Sequence, residues 1–130
     1  MPLKCFVYGI KMLRVIDGDT LLVNIDCGFN VWMKEYVRLI DVDAPEIRGV
    51  NAVPAGRDAT LYTTLWLKGL EQNYVSGGTA DLSAPWLDGL VLDSRRYDAR
   101  EKYGRVLGDI YRPGHPTTLN QDLFTMNLIK

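Results

Sequence analysis

Three short segments of the sequence carry the residues that could do chemistry. An acid-rich turn with the sequence DGDT at 17–20 is followed by RLIDVDAPE at 38–46 and, far downstream, by EKYGR at 101–105. Carboxylates spaced in this way can hold a hard divalent cation through oxygen ligands, and two arginines remote in sequence can grip a phosphate by bidentate hydrogen bonds. A cation with arginines is the chemistry of phosphoryl transfer, so the segments predict a metal-dependent phosphodiesterase site.

Length and composition predict one domain spanning residues 1–130. The chain has 130 residues, of which 47% are hydrophobic, enough to fill a single core. Its N-terminus lacks the parts of a signal peptide, and its apolar runs are too short to cross a membrane. We therefore expect a cytoplasmic monomer with no membrane partner, or a secreted protein if a leader was removed.

Charge is unevenly distributed, although the net charge is only −1. Residues 17–46 carry seven acidic residues against two basic ones, and residues 95–112 carry six basic residues against three acidic ones. An acidic patch beside a basic patch suits a cation that meets a polyanion. From charge alone, two ordinary solvated faces would be an equal alternative.

The first part of the chain predicts three strands around the acid-rich turn. A turn at 28–30 leads to a third strand, roughly 31–40, and Pro45 ends regular pairing. Apolar residues alternate on both sides of the acid-rich turn, as in a hairpin of half-buried strands: Leu13, Val15, Leu21, Val23 and Ile25.

The second part predicts one amphipathic helix over 54–68, capped by Gly69, and a surface insertion at about 76–89 with one packed aromatic, Trp86. Strands over 90–96 and 105–111 follow. Thr118 and Gln121 have capping-box spacing for a short terminal helix. The expected fold is α+β and mainly β, a five-stranded OB-fold barrel with one inserted helix and a short C-terminal helix.

These segments resemble a known family. The sequences VIDGDT at 15–20, RLIDVDAPE at 38–46 and KYGRVL at 102–107 are similar to the three signature segments of the staphylococcal nuclease, or thermonuclease, family. They occur in the family's order and at approximately its spacing, within a match from about Leu13 to Leu128. The resemblance implies a calcium-dependent nuclease that cleaves DNA and RNA with little sequence preference, with single strands preferred.

The resemblance also implies a set of metal ligands. Asp19, Asp43 and the backbone carbonyl of Ala44 correspond to the Ca²⁺ ligands, with water and a substrate phosphate completing the shell. Asp17 would support the turn without binding the ion directly. The alternative for Asp17 and Asp19 is simple turn chemistry, because Asp-Gly is a favoured hairpin turn.

The remaining site residues follow from the same resemblance. Glu46 corresponds to the group that activates or orients the attacking water, and Arg38 and Arg105 to the two phosphate-binding arginines. Lys102 and Tyr103 correspond to residues near the phosphate and the base. The alternatives are structural: an ion pair of Glu46 with Arg48, one of Arg105 with Glu101, and a Tyr103 that only packs the turn.

One geometric requirement follows from the spacing. Arg38 and Asp43 are five residues apart, so in a straight strand their side chains would point to opposite faces. A bulge or sharp bend must therefore separate them if both serve one site.

The sequence departs from the family near its end. Asn127 stands where the family usually has a helix-ending glycine, which is a mild change because asparagine tolerates the left-handed conformation. The family's last helix, with its base-contacting tyrosines, is missing or shortened, so base stacking should be weaker.

Two other functions compete with a nuclease. One is a noncatalytic nuclease-like domain that binds single-stranded nucleic acid or a protein partner. The other is a calcium-binding structural module, which would leave the paired arginines unexplained.

Overall fold

A computed structural model of the chain describes residues 6–42, 44, 54–94 and 104–129. Within these residues the strands and helices follow one another in the order expected from the sequence. Their bounds are β1 Val7–Asp17, β2 Thr20–Asp26, β3 Trp32–Leu39, α1 Pro54–Leu67, a 3-10 turn Glu71–Asn73, β4 Val91–Asp93, β5 Val106–Tyr111 and α2 Leu119–Thr125.

The five strands close into a barrel in the order β1-β2-β3-β5-β4, with β4 pairing back onto β1. The β3–β5 pair is parallel and the other four pairs are antiparallel. A mainly β barrel with an inserted helix and a C-terminal helix confirms the predicted OB-fold class. The predicted strand over 90–96 is regular only over β4, and Arg95 and Arg96 lie outside the described residues.

The barrel interior is built by strand alternation. Leu21, Val23 and Val37 are fully buried because inward-facing positions recur at every second residue of β2 and β3. Helix α1 packs against β1, and Trp66 within it is also fully buried. The predicted strand alternation and amphipathic helix are thus confirmed by the side chains that form the core.

Helix α1 is covered on its outer side by the segment that follows it. Every residue from Leu61 to Lys68 is buried, more than a one-faced helix would require. The Leu87 amide donates to the Leu67 carbonyl at 2.9 Å, and the Lys68 ammonium lies 4.3 Å from the centre of the Trp86 ring. The segment 76–89 therefore shields the helix from solvent. That it is an insertion relative to related proteins stays a prediction.

Helix α2 begins and ends as the sequence predicts. Thr118 and Gln121 form a reciprocal capping box at its start, and Asn127 adopts a left-handed conformation with φ of 58° just beyond its end. No helix among the described residues is long and apolar enough to cross a membrane.

Candidate active site

The hairpin turn between β1 and β2 is held against helix α1. A Cβ atom on Gly18 would lie 2.7 Å from the Ala59 Cβ, so the helix can approach only a glycine. The Thr63 hydroxyl donates to the Gly18 carbonyl at 2.9 Å. Neither Gly18 nor Asp19 has a positive φ, so close packing, and not left-handed turn geometry, accounts for glycine here. The turn thereby holds Asp19 in a fixed position.

The Asp19 carboxylate is the centre of the site. Its Oδ2 atom lies 3.0 Å from Arg38 Nη1 and accepts a hydrogen bond from the Ala44 amide at 2.9 Å. Its Oδ1 atom accepts from the Thr20 hydroxyl at 3.0 Å. Because Asp19 is only 7% exposed, these contacts also compensate for the burial of its charge.

The chain bends sharply after β3, as the spacing of Arg38 and Asp43 requires. Strand β3 ends at Leu39, and Asp41 follows in a left-handed conformation with φ of 58°. Arg38 Nη1 donates to the Val42 carbonyl, so the guanidinium folds back onto the bend. The bend brings both Arg38 and Ala44 to Asp19.

Arg105 reaches the same site from the start of β5. Its Nη1 atom donates to the Thr20 hydroxyl at 3.2 Å. The parallel pairing of Val106 with Val37 places the start of β5 beside the end of β3. Two arginines separated by 67 positions in sequence therefore meet at one end of the barrel.

The structure brings together four of the predicted site residues, Asp19, Arg38, Ala44 and Arg105. Asp17 is half-buried at the end of β1, where it pairs with Thr20. The remaining predicted residues lie outside the described part of the chain: Asp43, Glu46, Lys102 and Tyr103.

Thr20 is a site residue to which the sequence alone assigns no role. Its hydroxyl donates to Asp19 and accepts from Arg105, so it links the carboxylate to the second arginine. The available signal was its position directly after Asp19, at the start of a strand that pairs with Arg38.

The donors at this site suit a hard cation. Asp19 offers carboxylate oxygens, a ligand type that Ca²⁺ and Mg²⁺ prefer, and the contact of Ala44 with Asp19 is made by its amide. Within the described residues, no group of three or more His, Cys, Asp or Glu side chains could hold a metal ion. A complete ligand set would therefore require the predicted contribution of Asp43.

A cavity of about 480 Å³ lies between the bend and helix α2. Ile40, Asp41 and Val42 line it from the bend, and Gln121 and Phe124 line it from α2. This volume is within the range of small-molecule sites.

A separate polar cluster joins α1, α2 and the segment after β5. The Asp122 carboxylate accepts from Trp66 Nε1 at 2.7 Å and lies 2.9 Å from His115 Nε2. Arg112 Nη2 lies 2.6 Å from the Glu71 carboxylate and 2.9 Å from His115 Nδ1. His115 has no nucleophile among these partners, and its two ring nitrogens link Arg112 to Asp122.

Burial and hydrogen bonding shift the pKa values of the carboxylates in this cluster in opposite directions. Burial raises the pKa of Asp122, but hydrogen bonds from Thr117, Trp66 and His115 outweigh it and leave the pKa below its usual value. Burial likewise raises the pKa of Glu71, and the contact with Arg112 reverses the direction. Both carboxylates are therefore stabilised in their charged forms.

Comparison with known proteins adds two relatives. No family model matches the sequence. An uncharacterized endonuclease of Escherichia coli is 30% identical over 112 residues, which make up 86% of this chain and 54% of that protein. An uncharacterized endonuclease of Escherichia coli O157:H7 matches with the same identity and coverage. The chain thus spans about half the length of the curated relatives it matches.

Proposed function

We propose that this chain is a calcium-dependent nuclease of the staphylococcal nuclease type, which hydrolyses phosphodiester bonds of DNA and RNA. The observation that carries the proposal is the convergence of Asp19, Arg38 and Arg105, from three remote segments, at one end of the barrel. The two relatives that are named endonucleases support the same class of activity.

The two arginines would bind the scissile phosphate. A guanidinium can donate two parallel hydrogen bonds to phosphate oxygens and neutralise the charge that grows on them during attack. Contacts of Arg38 with Asp19 and with the Val42 carbonyl fix its guanidinium relative to the carboxylate. Arg105 donates a hydrogen bond to the Thr20 hydroxyl, which restrains the second guanidinium.

Asp19, Asp43 and the carbonyl of Ala44 would hold Ca²⁺. When bound, the ion would polarise a phosphate oxygen and favour a nearby nucleophilic water. The Ala44 amide hydrogen bond orients Asp19, and the tight packing of Gly18 on Ala59 limits its movement.

Glu46 would orient or deprotonate the attacking water, with Asp17 supporting the turn. Lys102 and Tyr103 would contact the phosphate and the base. The cavity between the bend and α2 is lined by neither Arg38 nor Arg105, so the base is assigned to Tyr103 and not to that cavity. In this assignment, single strands are preferred because an unpaired base can reach Tyr103 without first leaving a duplex.

A cleavage assay tests this function. Single-stranded DNA is incubated with the protein in Ca²⁺ and then in excess chelator, and wild type is compared with Glu46→Ala and Arg105→Ala. We expect cleavage only with Ca²⁺, and losses of roughly 10²- to 10⁴-fold in the variants, since groups of these kinds contribute such factors. Circular dichroism verifies that both variants are folded.

Two results would contradict the proposal. Cleavage that persists in chelator would exclude the metal-dependent mechanism. Tight oligonucleotide binding without cleavage would instead identify a noncatalytic binding domain.

A further inference from the structure

We infer that the outer surface of β1, β2 and β3 is a binding track for single-stranded nucleic acid that leads to the candidate active site. This surface, the aromatic-basic face, consists of Lys11, Arg14, Trp32, Lys34 and Tyr36. The inference rests on the proposed function, because it extends the substrate contacts beyond the scissile phosphate.

The register of β3 places the face in line with the site. Strand β3 pairs with β2 without interruption from Arg38, opposite Thr20, to Trp32, opposite Asp26. Alternate side chains of a strand share one face, so Trp32, Tyr36 and Arg38 all point outward. Val37, which points inward, is fully buried, as this alternation requires. The first arginine of the site is therefore the end of the same row.

Neighbouring strands widen the row into a surface. Lys34 is opposite Asn24, which is in turn opposite Lys11 on β1. Tyr36 is opposite Leu22, which pairs with Arg14. The cross-strand set Lys34, Asn24 and Lys11 therefore lies between the set that contains Trp32 and the set that contains Tyr36.

The aromatic rings are exposed and have a cation beside them. Trp32 is 45% exposed and Tyr36 is 47% exposed. The Lys11 ammonium lies 5.3 Å from the centre of the Trp32 ring. Exposed rings offer stacking surfaces to unpaired bases, and adjacent ammonium groups attract the phosphates between them.

The charge of the face contrasts with that of the chain. Lys11, Arg14 and Lys34 are all exposed, whereas the whole chain carries a net charge of −1. Among the described residues of β1, β2 and β3, Asp26 lies beside Trp32 and Asp17 beside Thr20, at the two ends of the face, whereas Glu35 pairs with the buried Val23 and belongs to the opposite face of β3. A polyanion would therefore meet a locally positive surface.

The dimensions fit an oligonucleotide. From Trp32 to Arg38 the strand extends about 20 Å, at about 3.3 Å per residue. OB-folds bind roughly 4 to 16 nucleotides of a single strand. Self-association is the less favourable use of this face, since a two-fold contact would place its basic residues against one another.

A binding experiment tests the track. A fluorescein-labelled 16-nucleotide oligothymidylate is titrated with the full chain in chelator, which prevents the proposed cleavage, and anisotropy gives Kd. The variant Trp32→Val/Tyr36→Val removes both rings and keeps residues that favour strands. We expect Kd to rise about 10-fold or more, because each stacked base contributes substantially to affinity. In Lys34→Ala, the plot of log association constant against log salt concentration should become less steep, its negative slope shrinking in magnitude by about 0.7.

Matched controls are available elsewhere on the chain. Tyr111→Val removes an exposed ring from β5, where Tyr111 pairs with β4, and Arg57→Ala removes an exposed charge from α1. Both should bind the oligonucleotide as wild type does. Equal Kd values for wild type and the double valine variant would overturn the inference. So would a wild-type dimer, detected by sedimentation, that dissociates in the double variant.

The inference and the proposed function can fail separately. If both hold, the double variant lowers the ratio of kcat/KM for the 16-mer to kcat/KM for a dinucleotide. If neither wild type nor the double variant cleaves either substrate but oligonucleotide binding still depends on the two rings, the binding track is supported and the nuclease activity is not. If cleavage occurs and the ratio is unchanged, the track is contradicted and the nuclease stands.

Discussion

At the scale of single residues, Thr20 connects the two charged halves of the site. Its hydroxyl donates to the Asp19 carboxylate at 3.0 Å and accepts from Arg105 Nη1 at 3.2 Å. Because the residue is only 4% exposed, its side chain has little freedom to turn away. We infer that Thr20 positions Arg105 relative to Asp19.

Replacing Thr20 by valine tests this role. Thr20→Val preserves shape but removes the hydroxyl, so Arg105 loses an acceptor and Asp19 a donor. We expect kcat/KM on single-stranded DNA to fall about 10- to 100-fold, less than for removal of a whole catalytic group. Thr20→Ser keeps the hydroxyl and should retain most activity. A valine variant that loses no more activity than the serine variant would contradict this role of the hydroxyl.

The sequence predicts the charged residues of this site better than the neutral ones. Asp19, Arg38 and Arg105 were predicted because carboxylates and arginines in ordered motifs indicate specific chemistry, and the structure brings them together. Thr20 lacks such a signal, since its role depends on a partner 85 positions away. The need for glycine at 18 also depends on a tertiary contact, the approach of Ala59.

At the scale of elements, helix α2 supports the bend that follows β3. Asn120 Nδ2 donates to the Ile40 carbonyl at 2.9 Å, and its Oδ1 accepts from the Ile110 amide at 3.3 Å. One buried side chain therefore satisfies backbone groups of both the bend and β5. The bend in turn positions Arg38.

Removing the Asn120 amide should destabilise the bend. Asn120→Ala leaves buried backbone groups without their partner, and we expect a loss of about 1–3 kcal/mol in the free energy of unfolding. Urea denaturation followed by tryptophan fluorescence measures it. Asn73→Ala, at an exposed position of the 3-10 turn, is the matched control and should change little. Equal stability of the two variants would contradict the supporting role.

Element order was predictable because period and turn chemistry are local properties. The hairpin, the inserted helix and the capping box of α2 follow from them and are confirmed. The closure of β4 onto β1 and the parallel β3–β5 pair are long-range contacts. The likeness of the element order to an OB-fold predicts a five-stranded barrel, but local periodicity assigns neither of these two pairings.

At the scale of the whole molecule, the polar cluster around Asp122 links helix α1 to helix α2. Asp122 on α2 accepts from Trp66 on α1, while Arg112 donates to the Trp66 carbonyl at 2.9 Å and to Glu71 beyond the helix. Since Arg112 can only donate, His115 accepts at Nδ1 and carries its proton on Nε2, facing Asp122.

The stability of the molecule should depend on the charge of Asp122. Its pKa is depressed in the folded state, so its contribution is fully present above the unfolded value of about 3.9 and is lost as pH falls through the folded pKa. Asp122→Asn should lower stability at neutral pH by about 1–3 kcal/mol, because an amide group would face N–H donors. The substitution should also make the loss of stability below about pH 4 less steep than in wild type.

Thermal unfolding from pH 7 to pH 2 measures both effects. Asp88→Asn, at an exposed position, is the control and should follow the wild-type profile. A decline below pH 4 that is equally steep in Asp122→Asn and wild type would show that other carboxylates account for the acid sensitivity.

The most direct test of the proposed active site is the single-turnover rate of single-stranded DNA cleavage at saturating Ca²⁺ by wild type and Asp19→Asn. The substitution removes one charge at the point where Arg38, Thr20 and Ala44 converge. We predict a fall of at least about 10²-fold in a variant whose circular dichroism matches wild type. A rate within about twofold of wild type would contradict the assignment of this site, since losing a metal-binding carboxylate should have a far larger effect.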